Sequence, residues 1–295
     1  MNLILTVLQI VAPVGVLALT GFIWAKAGFE YRMEFVTRLA MTLATPCLMF
    51  TALMKTEVDP ASLAGVAVAA SVCFAVLALI WWGFVLVTGL ERRSYMAPMI
   101  FGNTGNVGLP VALFAFGETG LGYGLAIFAV SCIWSFTLGA WLMTRGGSGS
   151  VLAVLREPTV WATLLGALFL WQGWQTPDWM TNSLDLIGQM AIPMMLITLG
   201  VSVARLSPGR LGQSFWLSLL RMAVSIAVAL GVGLALQLEP VALAVLILQI
   251  STPVAVTVYL LAARHGADAD AVAGLVIVST LLSVVGIPLT LAFLI

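Results

Sequence analysis

A chain of 295 residues with 62% hydrophobic and 8% charged side chains has too little polar surface to coat a soluble globule. Twelve Lys and Arg balance twelve Asp and Glu, so no charge excess directs the chain to nucleic acid or to an acidic partner. The mean hydropathy of +1.13 and the long uncharged runs instead define an all-α polytopic membrane protein, with its function inside the bilayer.

In chain order, apolar runs bounded by charges and turn residues predict ten membrane spans: 3–25, 36–54, 62–89, 95–116, 121–143, 158–174, 184–203, 212–236, 240–263 and 270–294. A hydrocarbon core of about 30 Å takes about 20 residues of helix. At the end of the first run Ala25-Lys26-Ala27 imitates a signal-peptidase site. The run has no basic region before it and exceeds the length of a signal sequence, so it is expected to stay as a span.

Short segments recur along the chain. Thr45-Pro46-Cys47-Leu48-Met49-Phe50-Thr51 in span two is echoed by Ile192-Pro193-Met194-Met195-Leu196-Ile197-Thr198 in span seven. Asp59-Pro60-Ala61-Ser62-Leu63 before span three is echoed by Ser207-Pro208-Gly209-Arg210-Leu211 before span eight, and Pro110 of span four by Pro253 of span nine. The offset is nearly constant, which predicts two five-helix repeats, 1–144 and 158–295, joined by a short cytoplasmic linker, 145–157. Because five is odd, the repeats cross the membrane in opposite senses.

Orientation follows from the basic residues. With both termini outside, the cytoplasmic loops and their borders hold Lys26, Arg32, Arg38, Arg92, Arg93, Arg145, Arg156, Arg205, Arg210, Arg221 and Arg264, eleven of the twelve. Lys55 alone lies on the other side. Positive loops are retained in the cytoplasm during insertion, so both termini are expected to face outward.

Span four contains Gly102-Asn103-Thr104-Gly105-Asn106-Val107-Gly108-Leu109-Pro110, poor helix material in the middle of a span. Span nine carries a shorter counterpart, Gln249-Ile250-Ser251-Thr252-Pro253. A helix broken at membrane depth leaves amides and carbonyls unpaired, tolerable only inside protein or beside water. Each break also creates a helix N-terminus with free amides and about half a positive charge. Asn103, Thr104, Gly105, Asn106, Ser251 and Thr252 are therefore the candidate substrate-binding residues, with Gly108, Pro110 and Pro253 shaping the breaks. The bland alternative is two kinked helices with Asn bonding across their interface.

No Lys, Arg, Asp or Glu is placed at mid-span, so no carboxylate proton relay is read. Gln249 and His265 are the candidates for an ion or coupling role. His265 follows Arg264 at the end of span nine, where a cation also suits a helix C-terminus, with Gly266 as cap and Asp268 or Asp270 opening the next helix. Glu118, Glu239, Asp178 and Asp185 read as outer-loop or helix-end charges. Cys47, Cys73 and Cys132 match no metal motif and read as small core residues. The tryptophans, among them Trp81, Trp82, Trp171 and Trp174, read as interfacial belts. No metal or cofactor is expected.

Gly102 to Gly117, the Arg156-Glu157-Pro158 opening of span six and Ser251 to Pro288 resemble the auxin efflux carrier family, which includes plant carriers and bacterial malate permeases. The resemblance covers essentially the whole chain, although the long central loop of many plant members is missing. It implies the fold of bile-acid/sodium symporters, with crossed broken helices four and nine. Spans one, two, six and seven would then be the scaffold and the homodimer contact, made through spans two and seven, and spans three to five and eight to ten the transport domain. Asn103, Thr104, Gly108 and Pro110 match the family's carboxylate-binding pattern. The plant asparagine of span nine is replaced by Ser251 and Thr252, a departure from an auxin-like substrate.

The resulting expectation is a secondary transporter moving a small organic anion, a carboxylate, by elevator-type alternating access. Sodium-coupled symport, with crossing carbonyls and Gln249 holding the ion, is the alternative within transport, and a non-transporting sensor the alternative outside it. An intramembrane hydrolase would need an Asp pair, a Ser–His pair or a metal cluster, and the single histidine lies at a helix end.

Overall fold

A computed structural model describes residues 3–143, 157–206 and 211–294. Among them every regular element is helical. In chain order these are α1 (Leu3–Lys26), α2 (Met33–Leu39), α3 (Thr45–Lys55), α4 (Pro60–Thr88), α5 (Arg92–Ile100), α6 (Leu109–Trp134) and α7 (Ala140–Met143). After the linker come α8 (Pro158–Gln172), α9 (Asp178–Gln189), α10 (Ala191–Arg205), α11 (Leu211–Ala235), α12 (Pro240–Ser251), α13 (Val256–His265) and α14 (Ala269–Leu294).

Seven helical stretches among the described residues are long and apolar enough to cross a membrane. The difference from the ten expected spans has three sources. Thr104–Met143 is one 40-residue stretch, about twice the length a 30 Å core takes. It bends at Gly117, whose φ of 62° and ψ of −152° are open only to glycine, so 109–116 and 118–134 are separate rods. α8 has only 15 residues, and expected span nine is divided into α12 and α13 by Thr252–Ala255. Leu79, Leu86, Val87 and Phe293 are 70% exposed or more, an outer surface suited to lipid and not to water. The chain is a multi-pass membrane protein.

Local chemistry sets the ends. Asp59 caps α4 by accepting from the amides of Ala61 and Ser62 at 3.0 and 3.2 Å. Pro60 supplies the first-turn φ, and Gly89 ends the helix in the left-handed region. Asp268 opens α14 by accepting from the Ala271 amide, after Gly266 has closed α13 at φ 67°. Glu239, at the start of α12, accepts from Ser62 Oγ of α4 and Tyr123 Oη of α6, tying three helices at one end of the bundle.

α1 packs along α10, and α3 against α8 and α9. α4, α6, α11, α12 and α14 pack on one another, with α11 between α12, α14 and α4. Lys55 of α3 pairs with Asp185 of α9. Trp82 stacks with Trp141, and the Arg92 guanidinium lies 5.2–5.5 Å from both rings, an interfacial cation–π group. Trp81 departs from the expected belt, being fully buried in the core. Cys73 and Cys132 are buried and Cys47 is half-buried. Arg145, Arg156, Pro208 and Arg210 lie outside the described residues, as does the side chain of His265.

Candidate functional site

The two breaks meet. α5 ends at Ile100, and the chain runs extended through Phe101 to Asn103. α12 ends at Ser251, and its chain continues unwound through Thr252 to Ala255. Gly102 and Val254 form an isolated antiparallel bridge, in which the Asn103 amide donates to Pro253 O at 2.7 Å. The bridge satisfies backbone groups that neither helix can pair. Val254 N–H in turn donates to Ser279 Oγ of α14 at 2.9 Å.

Asn103 organises the turn that follows. Its Oδ1 accepts from the Asn106 amide at 3.2 Å, and its carbonyl accepts from Val107 and Gly108. The wide turn Thr104–Gly108 then leads into α6. Asn103 is 6% exposed and its Nδ2 has no partner, an unpaired amide that costs about 1–3 kcal/mol unless something accepts from it. Thr104 and Gly105 are buried and Asn106 is half-buried. The turn packs against α10 as well as α12.

On the other break, Ser251 Oγ donates to Leu248 O and Thr252 Oγ1 to Gln249 O. Both hydroxyl protons are turned back into α12, leaving their oxygens as acceptors. Gln249 is fully buried, donating Nε2 to Gly124 O at 3.3 Å. Its Oε1 has no partner and lies where a Cβ on Gly108 would be, 2.0 Å from it. Gln249 thus keys α12 into the glycines of α6 and of the turn before it.

Arg221 was assigned to a cytoplasmic helix border, and the structure corrects this. It stands near the middle of α11, 1% exposed. Nε donates to Pro98 O at 3.0 Å and Nη1 to Thr252 O at 2.6 Å, while Nη2 has no partner. The expectation of no mid-span charge is overturned with it. A signal was present in the sequence. Ten residues into a 25-residue helix, at about 1.5 Å per residue, a side chain lies near the bilayer midplane. Ser279 gave no such signal, being one hydroxyl in an apolar run.

A cavity of about 380 Å³ opens between α3, α6 and α9–α10. Thr51, Lys55, Glu118, Asp185 and Gln189 supply its polar lining, and none of the candidate binding residues lines it. No cluster of three His, Cys, Asp or Glu among the described residues could hold a metal ion.

Two unwound segments thus cross within a bundle of membrane helices, near an unpaired amide and a buried guanidinium. The profile of the family described as membrane transport protein matches residues 6–154 and 147–291. An uncharacterized transporter of Methanothermobacter thermautotrophicus is 25% identical over 95% of this chain and 96% of its own. An uncharacterized transporter of Methanocaldococcus jannaschii is 25% identical over 64% of each chain. The chain belongs to the membrane transport protein family, that of the auxin efflux carriers.

Proposed function

We propose that this protein is a secondary carrier moving a small organic anion, a carboxylate, across a bacterial inner membrane by elevator-type alternating access. The observation that carries this reading is the crossing at Gly102 and Val254, where two helices begin at membrane depth. Each helix N-terminus contributes about half a positive charge and free amides. The starts of the Thr104–Gly108 turn and of α13 together match one carboxylate, and Asn103 Nδ2 is a free donor among them.

The ten-span, inverted-repeat organisation is part of the proposal. The bend at Gly117 and the break between α12 and α13 support five spans in each half. Packing of α1 on α10 and of α3 on α8 supports a scaffold separate from α4–α7 and α11–α14, as in bile-acid/sodium symporters. Ten of the twelve basic residues remain on one side once Arg221 is removed, supporting termini outside. Dimerisation through spans two and seven belongs to the same reading.

The test is uptake of mono- and dicarboxylates into proteoliposomes. Asn103→Ala is expected to abolish saturable uptake while expression and folding are retained. Uptake equal to the wild type would move the site away from the crossing. Substrate binding without flux in the wild type would favour a sensor.

A further inference from the structure

The crossing has four helix ends, two of each polarity. The N-terminal pair is the anion site of the proposed function. The C-terminal pair, α5 and α12, carries orphan carbonyls with about half a negative charge each. In continuous helices Pro98 O would accept from residue 102 and Thr252 O from residue 256, but both chains unwind before that point. Two carbonyls facing one place at membrane depth form an oxygen set that suits a small hard cation.

That place is filled by the chain itself. Arg221 donates to both carbonyls, at 3.0 and 2.6 Å, and the buried residues include no Asp or Glu among those described. Its charge is therefore balanced by the two helix C-termini, about one negative charge together. On the same face of α11, Ser218 and Ser225 lie three residues before and four after, buried and with hydroxyls unpaired. They add two unpaired hydroxyls to the helix face that carries Arg221.

We propose that Arg221 is a resident cation taking the place a coupling metal ion would hold, so that anion movement needs no sodium. The inference rests on the crossing being the anion site, but its first test does not depend on a substrate. Arg221 is a positioning residue: it holds the two C-terminal ends together and leaves the two N-terminal ends to the anion.

The experiment compares thermal stability in detergent, and carboxylate flux in proteoliposomes, with sodium or choline chloride at equal ionic strength. For the wild type, Tm and flux are expected to be the same in both salts. Arg221→Ser leaves the two carbonyls without their donor. Its Tm is expected to fall and to be raised again by sodium but not by choline, with flux in choline reduced about tenfold or more. Arg221→Lys keeps the charge and is expected to remain indifferent to sodium. A sodium-dependent Tm in the wild type overturns the proposal, even if Arg221→Ser does not fold. So does an Arg221→Ser protein with wild-type stability and flux in choline. Absence of carboxylate flux in the wild type counts against the carrier reading, while the Tm comparison still decides the resident cation.

Discussion

A methyl group on Gly102 would lie 2.3 Å from Thr252 Oγ1, 3.0 Å from Thr252 O and 3.1 Å from Arg221 Nη2. The carbonyl cannot retreat, because Arg221 holds it. Gly102→Ala is expected to lower stability by about 1–3 kcal/mol, read as a fall in Tm. Thr252→Ala added to it removes the nearest atom, so the double variant is expected to be more stable than Gly102→Ala alone. A strictly additive double variant would place the strain elsewhere. At this scale the sequence was readable where residue type forces a conformation, as at Asn103, whose side chain caps its own turn. It misled at Arg221. A lone arginine in an apolar run looks like a displaced border charge until its carbonyl partners are seen, and those come from 31 and 123 residues away along the chain.

Among the elements, three prolines act alike. The wide turn Ala40–Ala44 ends two residues before Pro46, and Thr104–Gly108 ends two before Pro110. The helix running through α9 and α10 is interrupted at Met190, three residues before Pro193. A proline ring clashes with the carbonyl four residues back and offers it no N–H, and a widened turn moves that carbonyl aside. Pro110 was legible as part of a break and Pro46 and Pro193 only as a repeat, and the form each interruption takes was not legible. A third wide turn, Ser135–Gly139, has no proline after it, and nothing in its residues explains it. Close approach of α1 and α10 was also invisible in the sequence. A Cβ on Gly200 would lie 1.8 Å from Ala18 O, and one on Gly21 2.0 Å from Ile197 O, so these backbones touch through glycine. Gly200→Ala is expected to lower Tm clearly, whereas Gly65→Ala, with open space at the same position, is expected to leave it unchanged or slightly raised. Equal effects of the two would remove the close contact as a source of stability.

For the whole molecule, orientation is the property most open to measurement. Glu57 and Glu30 are both exposed and lie in different loops, assigned to opposite sides by the basic residues. Glu57→Cys is expected to react with a membrane-impermeant maleimide in intact cells, and Glu30→Cys only after permeabilisation. The reverse pattern would invert the topology. Cys73 and Cys132 are buried and are expected to contribute little background. Sidedness is proposed from the charge distribution, to which insertion responds, and the labelling pattern decides it. Packing of the halves was less so, since apolar helix faces look alike whether lipid or protein covers them.

A cation held at the crossing is also an electrical element. Carrying one charge through the full membrane field involves about 2.3 kcal/mol per 100 mV. In an elevator, Arg221 would travel with α11 and feel part of that field in every cycle. An inside-negative potential would then draw the empty crossing toward the cytoplasm, and a bound monovalent anion would cancel the pull. Voltage, acting on one buried guanidinium, would set the side on which the unloaded site rests.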